Sequence, residues 1–84
     1  MALKQIRNSR NLTQEDFAAV SSRTYLSTLE RGLKSPTLEK IDQISGALGV
    51  HPVTLLMATY VYKDGPHDVE SLLQSVRDEL NSLL

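Results

Sequence analysis

Apolar positions recur at helical steps along the whole chain, and no stretch alternates apolar and polar residues long enough to predict a strand. Leu3 and Ile6 open a first amphipathic segment. It stops near Asn8 to Asn11, where short polar side chains compete with the helical backbone. Thr13 reads as the N-cap of a second short helix, roughly Thr13 to Val20. Asp16 replaces the usual Glu or Gln of a capping box, and Phe17, Ala18 and Val20 form the buried side. Ser21 and Ser22 interrupt the pattern, and Leu26 with Leu29 resume it, which predicts a third helix over about Arg23 to Arg31, stopped by Gly32. Pro36 and Thr37 introduce a fourth helix, with Leu38, Ile41, Ile44, Ala47 and Leu48 on one face until Gly49. His51, as a cap, and Pro52 open a fifth that runs to about Tyr62. Lys63, Asp64, Gly65 and Pro66 then make the clearest break in the chain.

Beyond the break, Val69, Leu72, Val76, Leu80 and Leu83 recur at steps of three and four, a heptad-like seam that Leu73 and Leu84 widen. The expected organisation is an all-α chain. A compact five-helix domain occupies residues 1–62, a linker turn 63–66, and a C-terminal helix 67–84. Two heptads are too few for an independent coiled coil, so the seam packs either on its own domain or on a second copy. A core of about 60 residues is only marginally self-sufficient, which favours the second copy. A homodimer with Val69, Leu72, Val76, Leu80 and Leu83 in its interface is therefore expected.

With 84 residues the chain holds one domain, and with no cysteine it has no disulfide frame, thiolate metal site or cysteine nucleophile. His67, Asp68 and Glu70 follow one another too closely on one helix start to close a ligand set, and His51 and the serines form no catalytic spacing. No enzyme, metal or cofactor is expected. The longest uninterrupted apolar stretch is only a few residues around Val53 to Ala58, and Met1 to Arg10 lacks the apolar core of a signal peptide. The expectation is a soluble cytoplasmic protein with no membrane partner.

A net charge of −1 argues at first against a nucleic-acid partner, but the average hides a split. Residues 1–40 balance at +3 through Lys4, Arg7, Arg10, Arg23, Arg31, Lys34 and Lys40 against Glu15, Asp16, Glu30 and Glu39. Residues 41–84 balance at −4. An anionic partner would meet the first half.

Residues 12–32, LTQEDFAAVSSRTYLSTLERG, pair a capped short helix with a second one across a tight polar turn. This resembles the Xre or Cro-repressor-like helix-turn-helix family. The resemblance covers about residues 2–57 and rests on LTQEDFA, RTYLSTLERG, SPTLEKI and ALGVHPVTLL in the family's order. RTYLS followed by ERG is most similar to the controller proteins of restriction-modification systems and similar small bacterial regulators. The resemblance implies a homodimeric transcriptional regulator, by default a repressor of its own gene. It would bind a palindromic operator in double-stranded DNA, nucleoid-associated when bound, with residues 24–31 in the major groove.

Elementary chemistry supports that role. The major groove admits one α-helix, and Leu26 and Leu29 facing the core would leave Arg23, Thr24, Ser27 and Thr28 outward as hydrogen-bonding groups. Arg23 can take both major-groove acceptors of guanine. Matched by position, the resemblance assigns base reading to Arg23, Thr24 and Thr28, with Ser27 close by, and a phosphate contact to Gln14. Thr13, Tyr25, Arg31 and Lys34 are further backbone contacts, with Lys40 in the same neighbourhood. The resemblance also pairs Arg7 with Glu30 as a structural salt bridge. One departure stands out: between Ala18 and Arg23 the chain is two residues shorter than the usual family pattern and lacks the turn glycine. Ser21 and Ser22 must make the turn, and the second helix ends early. The rival reading is a protein-interaction module, because antitoxins that resemble this family bind a partner protein as well as DNA.

Overall fold

The computed structural model describes residues 1–63 and 68–84. All its regular structure is helical: α1 (Leu3–Ser9), a single 3-10 turn (Gln14–Phe17), α2 (Arg23–Glu30), α3 (Leu38–Leu48), α4 (Pro52–Lys63) and α5 (Val69–Leu83). Among the described residues there is no strand. Lys63 closes α4, and the remaining linker positions 64–66 lie outside the described residues.

Four of the five α-helices start where a side chain can take an orphan amide. The Ser22 hydroxyl accepts from Tyr25 N–H at 3.1 Å, the Thr37 hydroxyl from Lys40 N–H at 3.1 Å, and the Asp68 carboxylate from Glu70 N–H at 3.2 Å. His51 opens α4 by accepting the Val53 N–H on Nδ1 at 3.0 Å, just ahead of a proline whose missing N–H costs nothing there. α1 has no such cap of its own. The amide of Ala2 instead donates to the Thr59 hydroxyl of α4 at 3.1 Å, and that hydroxyl donates onward to the Leu55 carbonyl at 2.8 Å.

The ends of α1, α2 and α3 share one closure, in which a residue at positive φ lets its own amide and the next fold back on the last carbonyls. Leu12 N–H reaches Arg7 O at 3.0 Å, Leu33 N–H reaches Thr28 O at 3.1 Å and Val50 N–H reaches Ser45 O at 3.0 Å. The residues that turn the chain are Asn11 (φ 57°), Gly32 (φ 72°) and Gly49 (φ 77°). At Gly49 this closure lets α4 leave α3 at 96°.

The core is Leu3, Phe17, Leu26, Leu29, Ile41, Ile44, Leu48 and Leu55, so every element from α1 to α4 contributes. Two expected core positions are exposed, while Val20 and Ala47 pack half-buried against the core. Ala18 is exposed because the second helix does not continue past Phe17. Leu38 is 74% exposed, since it opens the first turn of α3 before the core begins at Ile41, and Ser45 rather than a further apolar side chain completes that face. α5 stands apart from the core and has no buried residue. It meets α4 along an open apolar groove lined by Thr54, Met57, Ala58, Val61, Tyr62, Val69 and Leu73.

Candidate nucleic-acid interface

The second helix expected over Thr13 to Val20 is one 3-10 turn, Gln14–Phe17, followed by non-helical turns to Val20. The reason is local. Phe17 O takes both Val20 N–H and Ser21 N–H at 2.9 Å, which winds the chain tightly, and Ser22 is already extended (φ −73°, ψ 153°) to cap α2. No room remains for a second turn of α-helix. At the other end the Asp16 carboxylate reaches back to Thr13, accepting its N–H at 2.6 Å and its hydroxyl at 3.2 Å. The Thr13 hydroxyl is thus turned toward its own turn.

From this entry α2 presents a divided surface. Leu26 and Leu29 are fully buried. Arg23 and Thr24 are exposed, while Ser27 and Thr28 are half-buried. The Thr28 hydroxyl donates to Thr24 O at 2.8 Å, which turns the oxygen toward the helix backbone. Gln14, Arg23, Thr24, Ser27 and Arg31 border one shallow polar depression, so the 3-10 turn and both ends of α2 share a single face. Arg23 lies 3.6 Å from Glu15 across that face, and both side chains are mostly exposed. Screening by water makes such a pair worth little energetically.

Arg7 and Glu30 fix α2 to α1. Arg7 Nε donates to Glu30 Oε2 at 2.8 Å and Nη2 to Oε1 at 3.0 Å, a two-pronged contact with both side chains largely buried. Arg7 Nη1 also donates to the Leu12 carbonyl at 2.9 Å. Hydrogen bonding to Glu30 raises the Arg7 pKa above its ordinary value, against the opposing effect of burial. Gln14 Nε2 reaches the same carboxylate at 3.4 Å.

The basic residues after α2 divide into two kinds. Arg31 is exposed, with Nε 3.4 Å from Ser27 O, and Lys34 is exposed with its ammonium 6.0 Å from the centre of the Tyr25 ring. Lys40 turns inward. Its ammonium donates to the Val20 carbonyl at 2.6 Å and lies 5.6 Å from the Tyr25 ring centre. Tyr25 itself is half-buried and packs against the core, so its ring is scaffold as well as surface. The sequence signal for Lys40 was a cation in the first turn of α3, where a helix dipole favours anions.

Among the described residues no group of three or more His, Asp or Glu side chains is placed to hold a metal ion. No single helix among them is long and apolar enough to cross a membrane.

A polar-faced short helix held across a capped turn, inside a helical core, is the architecture of a helix-turn-helix domain. The helix-turn-helix family profile matches residues 3–55, and the chain belongs to that repressor-like family of DNA-binding transcriptional regulators. It is 44% identical over 62 residues to control protein C.BamHI of Bacillus amyloliquefaciens, spanning 70% of this chain and 76% of that one. Over 57 residues it is 42% identical to the uncharacterized HTH-type transcriptional regulator y4dJ of Sinorhizobium fredii, spanning 66% of this chain and 74% of that one. The immunity repressor protein of Bacillus phage phi105 is 42% identical over 50 residues, which are 57% of this chain and 35% of the repressor. No solved structure matches the chain.

Proposed function

We propose that the protein is a homodimeric repressor that binds a palindromic operator, setting α2 of each protomer into major grooves about one helical turn apart. The observation that carries this reading is the single polar face formed by Gln14, Arg23, Thr24, Ser27 and Arg31, opposite the buried Leu26 and Leu29. In it Arg23, Thr24, Ser27 and Thr28 read bases. Thr13, Gln14, Tyr25, Arg31 and Lys34 contact the sugar-phosphate backbone, which positions the helix without specifying sequence. Similarity to a control protein and to an immunity repressor supports a regulatory role of the same kind, exerted in the cytoplasm on the nucleoid.

The dimer reading is supported by surface arithmetic. The chain exposes 5824 Å², whereas a compact monomer of its mass exposes about 5,000 Å². The excess is of the order that one partner contributes to a standard interface, about 800 Å². On α5, Val69, Leu80 and Leu83 are 51%, 48% and 77% exposed and Leu72 and Val76 are half-buried, which leaves an apolar seam open to a partner. The same apolar seam is what an antitoxin-like protein would offer to a different partner, and this is the second reading.

Selection from a random duplex library, followed by salt titration of the winning site, tests the proposal. An enriched palindrome with a dissociation constant of about 10 nM or tighter is expected, weakening steeply as salt rises. Failure to enrich any sequence at low salt would overturn it and leave the partner-binding reading in front.

A further inference from the structure

Lys40 sits at the third position of α3, with its amide on the Thr37 cap at 3.1 Å. A cation in the first turn meets the positive end of the helix dipole, so α3 gains nothing from it locally. Its partners lie elsewhere. The ammonium donates to the Val20 carbonyl at 2.6 Å, in a half-buried setting, and rests against the Tyr25 ring at 5.6 Å. Val20 is the last residue of the tight turn before α2, and Tyr25 is in the first turns of α2 itself. One side chain of α3 therefore holds both the turn and the start of the helix that follows. The turn from Ala18 to Val20 is wound on the Phe17 carbonyl and Val20 packs against the core, but Ala18 and Ala19 are exposed, so the side-chain tie across to α3 comes from Lys40.

We propose that Lys40 is a positioning residue for the reading helix, acting through the Val20 carbonyl and the Tyr25 ring rather than through a DNA phosphate. The inference rests on the operator-binding reading. Its two possibilities separate cleanly in salt titrations. A lysine on phosphate contributes about 0.9 to the slope of log K against log salt and strengthens binding to every sequence alike. A lysine that sets the angle of α2 contributes nothing to the slope and acts only where base contacts form.

Lys40→Met keeps the apolar stem and removes the donor. On the selected operator it should bind about tenfold more weakly, the equivalent of one lost base contact, with non-specific affinity and salt slope unchanged. Lys34→Met, the comparison, should lose about 0.9 of slope on specific and non-specific duplexes alike. Lys40→Arg keeps a donor and a cation against the ring, and should restore selectivity. A Lys40→Met chain that loses slope as Lys34→Met does, or that selects as well as the unaltered protein, overturns the inference. Should Lys40→Met fail to fold, amine modification of the unaltered chain decides: acetic anhydride should label Lys40 more slowly than Lys34 in free protein, and only Lys34 should gain protection from the operator. Equal labelling of the two in free protein overturns the tie. An unaltered chain with no preferred duplex is a distinct result, since it overturns the operator reading itself.

Discussion

Glu30 gathers Arg7 from α1 and Gln14 from the 3-10 turn onto the end of α2, so one carboxylate sets the position of three segments. Arg7→Ala leaves that carboxylate largely buried without its cation, and should destabilise the chain by about 3 kcal/mol in urea unfolding at neutral pH. Because the folded-state pKa of Arg7 is raised, its contribution is fully present below the ordinary arginine range and is lost only as pH rises through the folded value. Melting temperature should therefore show no step from Arg7 around neutrality. Arg23→Ala should cost roughly 1–3 kcal/mol on the preferred operator and flatten discrimination at the base it reads. Lys34→Ala should weaken all duplexes alike and lower the salt slope by about 0.9. Competition against single-base operator variants measures both, and equal losses on every variant would remove Arg23 as a base reader. The sequence made the outward polar residues of α2 legible, because Leu26 and Leu29 leave them only one side. It did not reveal where Lys40 points, since a carbonyl twenty residues earlier in the chain takes its ammonium.

Helix ends were the most readable feature at the next scale. The entry at Pro36 and Thr37 and the stops near Asn11, at Gly32 and at Gly49 were legible, because a Thr37 cap and residues at positive φ act through the residue and its immediate neighbours, while Ser22, read as a turn residue, and Asp68 cap as well. Gly32 gives this a number. A methyl there would meet nothing within 4 Å, so Gly32→Ala carries backbone strain alone, worth about 1–2 kcal/mol by thermal melting. The second helix was harder to read. Its capping signal at Thr13 and Asp16 is present, but how far a helix runs depends on the space before the next one, and here the Ser22 cap leaves a single turn. Leu38 shows the same limit in reverse: periodicity puts it on the apolar face of α3, while the extent of the core, a tertiary matter, leaves it exposed.

At the scale of the whole molecule, the radius of gyration is 13.7 Å, against about 12 Å for a compact chain of this length. The difference reflects α5, whose seam was legible as a heptad pattern but whose partner no single chain can specify. If a second copy covers it, Leu80→Asp should reduce the sedimenting mass to that of a monomer and weaken operator binding with it. An intact dimer would place the interface elsewhere. The core itself is closed by a contact far apart in sequence, the Ala2 amide on the Thr59 hydroxyl, which spans 57 residues. Because α1 has no cap of its own, the lifetime of its first amide against solvent deuterium is set by how often α4 lets go. Exchange at Ala2 thus becomes a clock for the release of α4, a helix distant in sequence, and Thr59→Val, which keeps the shape and removes the acceptor, should make that clock run fast while leaving the amides of α2 at their former rate.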